Sequence, residues 1–283
     1  MTDINLSNFA IDVEPVKNLN FRLGATYKTM KSAAPDLFNI SYFDENGVTQ
    51  SKIEQTELDF GITYTPGRKT AGFGVERNVS NDGRYPTVYL SYTKGLKGFL
   101  NSDFDYDKLQ LYYRHRILMG GFGKLKYFLE VGKTFGDVPL TMLDVVPGNQ
   151  AIFSVPRTFD LLNYYDFVTN EYAALHIEHN FNGRILSRIP LLRKLNWREI
   201  VGARAVVGNL SHDNISRSPF LIDRRLNDNL YIPTKPYYEY FVGVDSMYLF
   251  SIGKEKFEII PLGFDLEKFQ CNREEKRKSF RKR

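Results

Sequence analysis

The stretch LQLYYRHRILMGGFGKLKYFLEVGKTFG, residues 109–136, decides the fold, because two long alternating segments flank a glycine-rich turn. Alternate residues of a β-strand point to opposite faces of the sheet. One set is apolar and consists of Leu109, Leu111, Tyr113, Ile117, Leu125, Tyr127, Leu129 and Val131. The other set is polar, and each segment is roughly twice the typical strand of about 5–6 residues. The stretch therefore predicts a long antiparallel hairpin with two chemically different faces.

Similar segments recur along most of the chain. They are Asn8–Val16, Leu19–Lys28, Ser51–Thr65, Thr87–Lys94, Phe104–Leu118, Phe122–Phe135, Glu171–Phe181, Trp197–Val207, Tyr237–Phe250 and Phe257–Phe269. The nearest candidate for an amphipathic helix, ILSRIPLLRKL at 185–195, is interrupted by Pro190. The pattern therefore predicts an all-β, antiparallel fold of about ten strands.

Two environments explain one apolar and one polar strand face. In a soluble sandwich the apolar face is the core, whereas in a transmembrane β-barrel it meets lipid and the polar face lines a wet lumen. The strand lengths approach the roughly 9–11 residues that a membrane strand needs. Aromatic residues near strand ends, as in a membrane girdle, are Tyr27, Tyr64, Tyr92, Tyr172 and Phe181. Short turns near Lys17, Gly120 and Gly253 contrast with long connections at 29–50, 136–166 and 208–235. A transmembrane barrel is favoured, and a soluble all-β binding module stays open as the alternative.

The charge of the chain is concentrated at its C-terminal end. The formal net charge is +5, and residues 272–283 contain seven Lys/Arg and two Glu, so the rest of the chain is neutral. This distribution gives no basic footprint for nucleic acid. We expect a partial barrel over residues 1–270 and a basic, disordered tail over residues 271–283. The start MTDINLSNF lacks the features of a signal peptide. If the protein is exported, we therefore expect either that this chain is a fragment or that its true start lies further upstream.

The sequence offers no recognisable catalytic, cofactor or metal motif. His176 and His179 are three residues apart on a predicted strand, which places them on opposite faces. The glycines of GGFG, residues 120–123, lack the following Lys-Ser/Thr of a phosphate loop and predict a hairpin turn. Serine, histidine and aspartate residues show no nucleophile spacing, so a barrel-embedded hydrolase is the weakest alternative. We therefore predict no enzyme activity and no cofactor.

One set of polar positions suggests a binding surface. The basic side chains predicted to face the lumen are Lys108, Arg114, Arg116, Lys124, Lys126, Arg198 and Arg204. Glu130 and Glu178 are the acids on the same strand faces, whereas Asp12, Glu14, Glu57 and Asp59 make the early strands acidic. Two interpretations remain open: cross-lumen ion pairs that stiffen the wall, and a basic wall that contacts an anionic ligand, lipid headgroup or plug.

Several segments resemble a known family. They are YPTVYLSYTKGLKGFLNSDFDYDKL (85–109), LEVGKTFGDVPLTML (129–143), PGNQAIFSV (147–155), NYYDFVTNEYAALHIEHNFNGRILSRIPLLRKLNWREIVGARAVVGNL (163–210) and PYYEYFVGVDSM (236–247). They are similar to the C-terminal barrel of a Gram-negative outer-membrane family of unknown function. Full members join a carboxypeptidase-regulatory-like domain to a barrel of the surface-antigen (barrel-assembly) superfamily.

The resemblance implies an outer-membrane location and a barrel of about sixteen strands. It also implies contact with outer-membrane lipid, insertion by the barrel-assembly machinery, and a binding, transport or assembly role. Together with the basic lumen-facing positions, this role leads us to expect an anionic ligand or a periplasmic partner. It places the 136–166 connection where such barrels fold a loop into the lumen. Pro147, Gly148, Asn149 and Gln150 occupy the region of the Arg-Gly-aromatic tip of assembly factors, and this departure speaks against carrying over an insertase mechanism. After about Phe250 the family pattern ends, so the sequence suggests a fragment with open strand edges.

Overall fold

An eleven-stranded antiparallel sheet forms the body of the computed structural model. The structure describes residues 2–33, 40–71, 78–79, 84–149, 155–162, 166–218, 235–244, 247–253 and 256–259. The strands are β1 Thr2–Val16, β2 Leu19–Ser32, β3 Lys52–Tyr64, β4 Thr87–Gly95, β5 Tyr106–Leu118, β6 Lys124–Phe135, β7 Glu171–Asn180, β8 Glu199–Asn209, β9 Tyr237–Val244, β10 Met247–Gly253 and β11 Lys256–Ile259. The predicted all-β antiparallel fold is confirmed.

Each strand of this sheet pairs with the next one along the chain, so the topology is a simple meander. Within the described part of the chain, no ladder joins β1 to β11. Three hairpins of two-residue strands lie in the connections: Tyr42–Phe43 with Thr49–Gln50, Thr70–Ala71 with Asn78–Val79, and Asp144–Val145 with Val168–Thr169. The predicted tail at 271–283 lies outside the described residues.

The predicted strand Tyr237–Phe250 is wrong, because this stretch forms the two strands β9 and β10. Their ladder shifts register between Val242 and Gly243 and joins the two strands across residues 245–246. Aromatic residues occupy both faces of YYEYF, so the alternation gave no contrast that could reveal the turn. Of the predicted strand Phe257–Phe269, the structure describes Lys256–Ile259 as β11.

The ladders fix which residues share a face. Leu129 lies opposite Tyr113 on β5 and Leu175 on β7, whereas Lys126 lies opposite Arg116 and Glu178. We call the Leu129 side the apolar face. Many of its large side chains are exposed, including Phe9, Ile11, Leu23, Leu58, Phe60, Leu90, Leu109, Val131, Ile177, Val201 and Tyr240. The alternation predicted from the sequence is therefore confirmed at the level of strand register.

The described residues of the connection between β6 and β7 (136–149, 155–162 and 166–170) cover the opposite face, and we call it the loop-covered face. Val146, Phe159, Leu162 and Phe167 of the connection are buried in one cluster with side chains of this face, which are Tyr172, Ala174, Val206 and Tyr237. A second cluster joins Val138, Leu140 and Leu143 to Ile53, Phe104 and Tyr106. Tyr172, predicted to belong to an aromatic girdle, is thus buried beneath the connection.

The connections differ between the two ends of the sheet. Turns 17–18 and 119–123 are tight and lie at one end, which we call the short-turn end, together with connections 65–86 and 181–198. The long connections 33–51, 136–170 and 210–236 lie at the other end, the loop end. The turn after Gly253 also lies at the loop end, so its grouping with the other short turns is wrong. The tightness of the 119–123 hairpin depends on Gly123, whose φ is 92° and whose carbonyl accepts from Met119 N at 2.9 Å.

Helices are short in the described part of the chain. Helix α1 spans Pro190–Arg193 and helix α2 spans His212–Ser216, where the Ser211 side chain caps the N-terminus. The predicted interruption at Pro190 is confirmed, because the extended Ile189 separates a 3₁₀ turn at Leu186–Arg188 from α1, whose first position Pro190 occupies without needing an N–H donor. Among the described residues no helix has the length and apolar character that crossing a membrane requires.

Candidate functional site

A buried charge cluster lies between the loop-covered face and the 136–170 connection. Arg204 on β8 places Nη1 2.8 Å from Asp160 Oδ2 and 3.6 Å from Glu239 Oε2. Their side chains are 3%, 5% and 0% exposed, respectively. Arg204 and Glu239 are direct partners in the β8–β9 ladder, whereas Asp160 comes from the connection. The cluster therefore links two strands of the wall to the segment that covers them.

The Glu239 carboxylate also accepts hydrogen bonds from the connection's backbone. The N–H groups of Asp160 and Leu161 donate to it at 2.9 and 2.8 Å, and Tyr237 Oη donates at 2.8 Å. A carboxylate with several such donors is strongly held, because charge-assisted hydrogen bonds are shorter and stronger than neutral ones. Glu239 therefore fixes the backbone of the connection beside the wall.

The predicted lumen loop contacts this cluster directly. Phe159 N donates to Pro147 O at 2.9 Å, and Asn149 N donates to Phe159 O at 2.8 Å. The Asn149 side chain donates from Nδ2 to Asp160 Oδ1 at 3.1 Å, while Gly148 bridges to Phe159. The fourth predicted residue, Gln150, lies outside the described residues. The structure thus brings Pro147, Gly148 and Asn149 together with Arg204 through the Phe159–Asp160 segment.

A second polar contact fastens the start of the same connection. Lys108 Nζ on β5 lies 2.5 Å from Asp144 Oδ1, and Gln110 Nε2 donates to the same oxygen at 3.2 Å. Nearby, Tyr172 Oη donates to Glu130 Oε1. Lys108 is therefore paired with the connection rather than directed at an unoccupied space.

The remaining basic residues occupy the same face nearer the short-turn end. Lys126 Nζ lies 2.6 Å from Glu178 Oε1 and stands opposite Arg116 in the β5–β6 ladder. Arg114 and Lys124 are exposed on this face. Arg198 is exposed and precedes β8 at the short-turn end, and the ladders of β8 with β7 and β9 do not include it, so the register does not bring it together with the others. We call Arg114, Arg116, Lys124 and Lys126 the basic wall.

One aromatic contact extends the positive region toward the connection. The guanidinium carbon of Arg157 lies 5.2 Å from the ring centre of Phe128 on β6, a distance compatible with a cation–π contact. Phe128 is the ladder partner of Arg114 and also of His176. The positively charged part of the face therefore runs from the basic wall to the exposed Arg157.

Acidic residues of the early strands are also paired. Glu57 lies in contact with Lys28 Nζ and Tyr106 Oη, and it is buried. Asp59 accepts hydrogen bonds from Thr93 Oγ1 at 2.7 Å and from Thr26 Oγ1 at 3.2 Å. These contacts of Glu57 and Asp59 are typical of a hydrogen-bonded polar network within a wall. They are not typical of a pair of catalytic carboxylates.

The described histidines do not form a metal centre. His176 is buried on the loop-covered face with its ring 5.0 Å from that of Phe159, whereas His179 lies on the apolar face near Phe181. Within the described residues, no group of three His, Cys, Asp or Glu side chains is suitably placed for a metal ion. The predicted opposite orientation of the two histidines is confirmed by the β6–β7 register.

Sequence reasoning missed the three acids Asp144, Asp160 and Glu239. Asp144 and Asp160 lie in a connection without periodicity, so no strand pattern could place them against the wall. Glu239 does alternate with Tyr237 and Phe241, which all lie on the loop-covered face. That spacing was the available signal, and the aromatic residues on the other face concealed it.

Comparisons with known proteins agree with this architecture. The search of curated proteins found no match. Among solved structures, the chain is similar to BamA from Haemophilus ducreyi lacking POTRA domains 1–3, with a TM-score of 0.51 and 13% sequence identity. The match covers 91% of this chain and 53% of that one, so the chain spans about half the length of the BamA chain. At this identity the similarity concerns the fold alone.

The family comparison identifies the larger part of the chain. Residues 15–213 match the model described as the C-terminal domain of a family of unknown function, DUF5686. This range runs from the end of β1 to α2 and includes Asp144, Asp160 and Arg204. The chain therefore belongs to the DUF5686 C-terminal domain family.

Proposed function

We propose that the chain forms the wall of an outer-membrane β-barrel of surface-antigen type, with a binding, transport or assembly role and no catalysis. The observation that carries this proposal is the inverted burial of the two sheet faces. Leu58 and Phe60 are 43% and 42% exposed, whereas the charged Arg204 and Glu239 are 3% and 0% exposed. A lipid-facing barrel has this arrangement, because its apolar side chains point outward and its polar side chains point inward.

The soluble alternative predicts the opposite distribution. A sandwich or globular sheet buries its apolar face against another layer, and large contiguous apolar patches are rare on soluble monomers. Here the exposed apolar residues extend across the sheet from Phe9 on β1 to Tyr240 on β9. The covering layer, residues 136–170, lies on the polar side instead. Lipid is therefore a better partner for the apolar face than water.

Charged residues on the apolar face are concentrated near the loop end, which supports a membrane boundary at that level. Lys133 Nζ lies 2.7 Å from Glu171 Oε2 at the adjacent ends of β6 and β7. Lys94 Nζ lies 2.6 Å from Asp105 and 3.1 Å from Asp107, and Lys31 lies 3.2 Å from Asp3. Ion pairs of this kind suit the aqueous interface and not the bilayer centre, where charges are costly.

The polar face supports a binding or gating role within the lumen. The basic wall of β5 and β6 offers several cationic groups that favour an anionic ligand. The Arg204 cluster holds the 136–170 connection over the neighbouring strands, so we propose that the connection restricts access to the lumen. We further propose that the barrel-assembly machinery inserts the chain and that a carboxypeptidase-regulatory-like domain belongs to the whole protein.

The test of the membrane assignment is solubility and gel mobility. We expect the full chain to require detergent and to run at two positions on a gel, depending on whether the sample is heated, because a folded sheet wall resists detergent until it is heated. A monodisperse, detergent-free protein would contradict the proposal and support a soluble binding module. Labelling by a serine-directed acyl phosphonate would instead support the embedded hydrolase.

A further inference from the structure

The connection between β7 and β8 has an unusual composition for a surface segment. Residues 181–198 read FNGRILSRIPLLRKLNWR and contain five basic residues, no acidic residue and the single Trp of the chain, Trp197. We call these residues the basic–apolar segment. The combination of cationic and large apolar side chains is typical of elements that lie on an anionic membrane surface.

The segment has a defined backbone that the adjacent strands anchor. Ser187 N donates to Gly183 O at 2.9 Å, and Arg193 N donates to Ile189 O at 2.9 Å, so helical turns follow one another through α1. The buried Glu199 at the start of β8 accepts a hydrogen bond from Ile185 N at 2.6 Å. The segment is thus held by β8 and is not a loosely attached loop.

Its apolar side chains remain exposed despite this order. Leu191 is 79% exposed, and three further exposed residues are Ile185, Ile189 and Leu195. The basic residues Arg188, Arg193, Lys194 and Arg198 are exposed as well. Leaving four large aliphatic side chains in water is unfavourable, because the removal of apolar surface from water stabilises a folded or bound state in proportion to the area removed.

The segment is continuous with the apolar face at the short-turn end. The Arg184 guanidinium lies 4.1 Å from the ring centre of Phe122 in the 119–123 turn, and its Nη1 donates to Gly121 O at 2.9 Å. His179, on the apolar face of β7, makes a 2.8 Å hydrogen bond to Phe122 O. The apolar face, the turn and the basic–apolar segment therefore form one surface.

We propose that the basic–apolar segment docks on an anionic phospholipid surface, inserting Ile185, Ile189, Leu191 and Leu195 among the lipids at the short-turn end. The basic side chains lie at headgroup level, where each strengthens binding to an anionic surface about fivefold. Trp197 belongs to the same segment, and tryptophan is enriched at this level of a bilayer. The inference rests on the proposed membrane location and adds a lipid class and a specific binding segment.

Trp197 provides a direct measurement because no other residue of the chain is a tryptophan. The full chain is reconstituted into phosphatidylcholine vesicles, with or without phosphatidylglycerol, that contain brominated acyl chains. Flotation of the vesicles first establishes whether the chain is in the membrane. We expect Trp197 emission to be quenched by the brominated lipid, more strongly with phosphatidylglycerol and less strongly at high salt.

Two variants separate the contributions of charge and apolar contact. The triple variant Arg188→Gln, Arg193→Gln and Lys194→Gln should shift the docking equilibrium about a hundredfold and so reduce the effect of phosphatidylglycerol, while Arg184 and Arg198 keep a smaller part of it. The double variant Leu191→Ser and Leu195→Ser should reduce quenching in both lipids. Val48→Ser, an exposed apolar residue at the loop end, serves as the control and should leave quenching unchanged.

The outcomes distinguish this inference from the proposal on which it depends. A chain that does not float with the vesicles overturns both. A chain that floats but has unquenched Trp197 overturns the docking alone. Blue-shifted, unquenched emission that changes on dilution would instead indicate a second copy covering the segment, and it would also overturn lipid docking.

Discussion

The guanidinium of Arg204 on β8 lies 2.8 Å from the carboxylate of Asp160, which lies about forty residues earlier in the connection that covers the wall. Both side chains are almost completely buried, so the pair is removed from water along with Glu239. Desolvation makes such pairs costly to build, but the loss of one member is costlier still. The pair therefore specifies where the connection lies on the wall.

Replacing Arg204 by methionine should reduce the free energy of unfolding by about 3–5 kcal/mol, because Asp160 and Glu239 then lose their buried cation. The measurement is urea unfolding in detergent, followed by the emission of Trp197. Lys124→Gln is the matched control, since this exposed charge on the same face should change the value by about 0.5 kcal/mol or less. Equal stability of the two variants would contradict the anchoring role of Arg204.

Replacing Leu58 by arginine tests the environment of the apolar face. Leu58 lies at the middle of β3 and is 43% exposed. At a bilayer midplane the substitution should cost about 2–4 kcal/mol, whereas on a soluble surface it should be nearly neutral. Insertion into vesicles and thermal gel shift are the readouts. Val48→Arg, in a connection at the loop end, is the control, and similar behaviour of both variants would argue against a lipid-facing Leu58.

Aromatic rings on the loop-covered face require glycine on the neighbouring strand. Gly202 is the ladder partner of Phe241, and a Cβ at Gly202 would collide with the Phe241 ring and with Ile177 O. Gly202→Ala should therefore destabilise the wall by about 1–3 kcal/mol. Gly24→Ala on the same face is the control, because its Cβ would lie at an ordinary 3.5 Å from Asp59 Cβ. A lower thermal gel-shift temperature for Gly202→Ala alone is the expected result.

The strand register could be predicted because the wall has a strong contrast between adjacent residues. Leu125 and Lys126 differ so clearly in polarity that the period of two assigns each to its face, and the ladders agree. In β9 this contrast is missing, since Tyr238 and Tyr240 alternate with Tyr237 and Phe241. The pattern consequently gave no sign that this stretch divides into the antiparallel strands β9 and β10.

The candidate site was only partly predictable, because half of it belongs to a connection. Lys108 and Arg204 alternate within strands and could be placed on one face from the sequence. Their partners Asp144 and Asp160 obey no period, and their positions follow from how the connection packs as a whole. Tertiary contacts of this kind are non-local, so no residue spacing encodes them.

Tyr42 should make stability depend on alkaline pH. It lies in the hairpin at the loop end, 3% exposed, with its ring 4.9 Å from that of Phe104. Burial raises the pKa of Tyr42, and the charge of Asp103 and its hydrogen bond raise it further. The unfolded chain deprotonates this phenol near pH 10, as a free tyrosine does, and the folded chain does not. Stability from Tyr42 is therefore complete below about pH 10 and is lost as the pH rises further.

The variant Tyr42→Phe removes this titration. Its stability deficit relative to the wild type, about 1 kcal/mol at neutral pH from the lost hydrogen bond, should shrink between about pH 8 and pH 11. Urea unfolding at both pH values gives the two differences. Phe104→Leu is the control, since it weakens the same packing without removing a titrating group and should cost the same at both pH values. A deficit for Tyr42→Phe that does not change with pH would contradict the assignment.

Neutralising the basic wall should change ion preference in planar bilayer recordings. Arg114 and Arg116 on β5 and Lys126 on β6 share one face, with Glu178 as the acid that Lys126 contacts at 2.6 Å. A wall of this sign raises the local concentration of anions, so Arg114→Gln should lower the anion preference. The triple variant, in which Arg114, Arg116 and Lys126 are all replaced by glutamine, should lower it further.

The matched control is Lys69→Gln, because Lys69 is exposed in the 65–86 connection and its replacement removes the same charge away from the wall. If the reversal potential under a salt gradient is the same for the wild type, the control and the triple variant, the basic wall does not contact the permeating ions. Its positive charge would then serve only to stabilise the wall through pairs such as Lys126–Glu178.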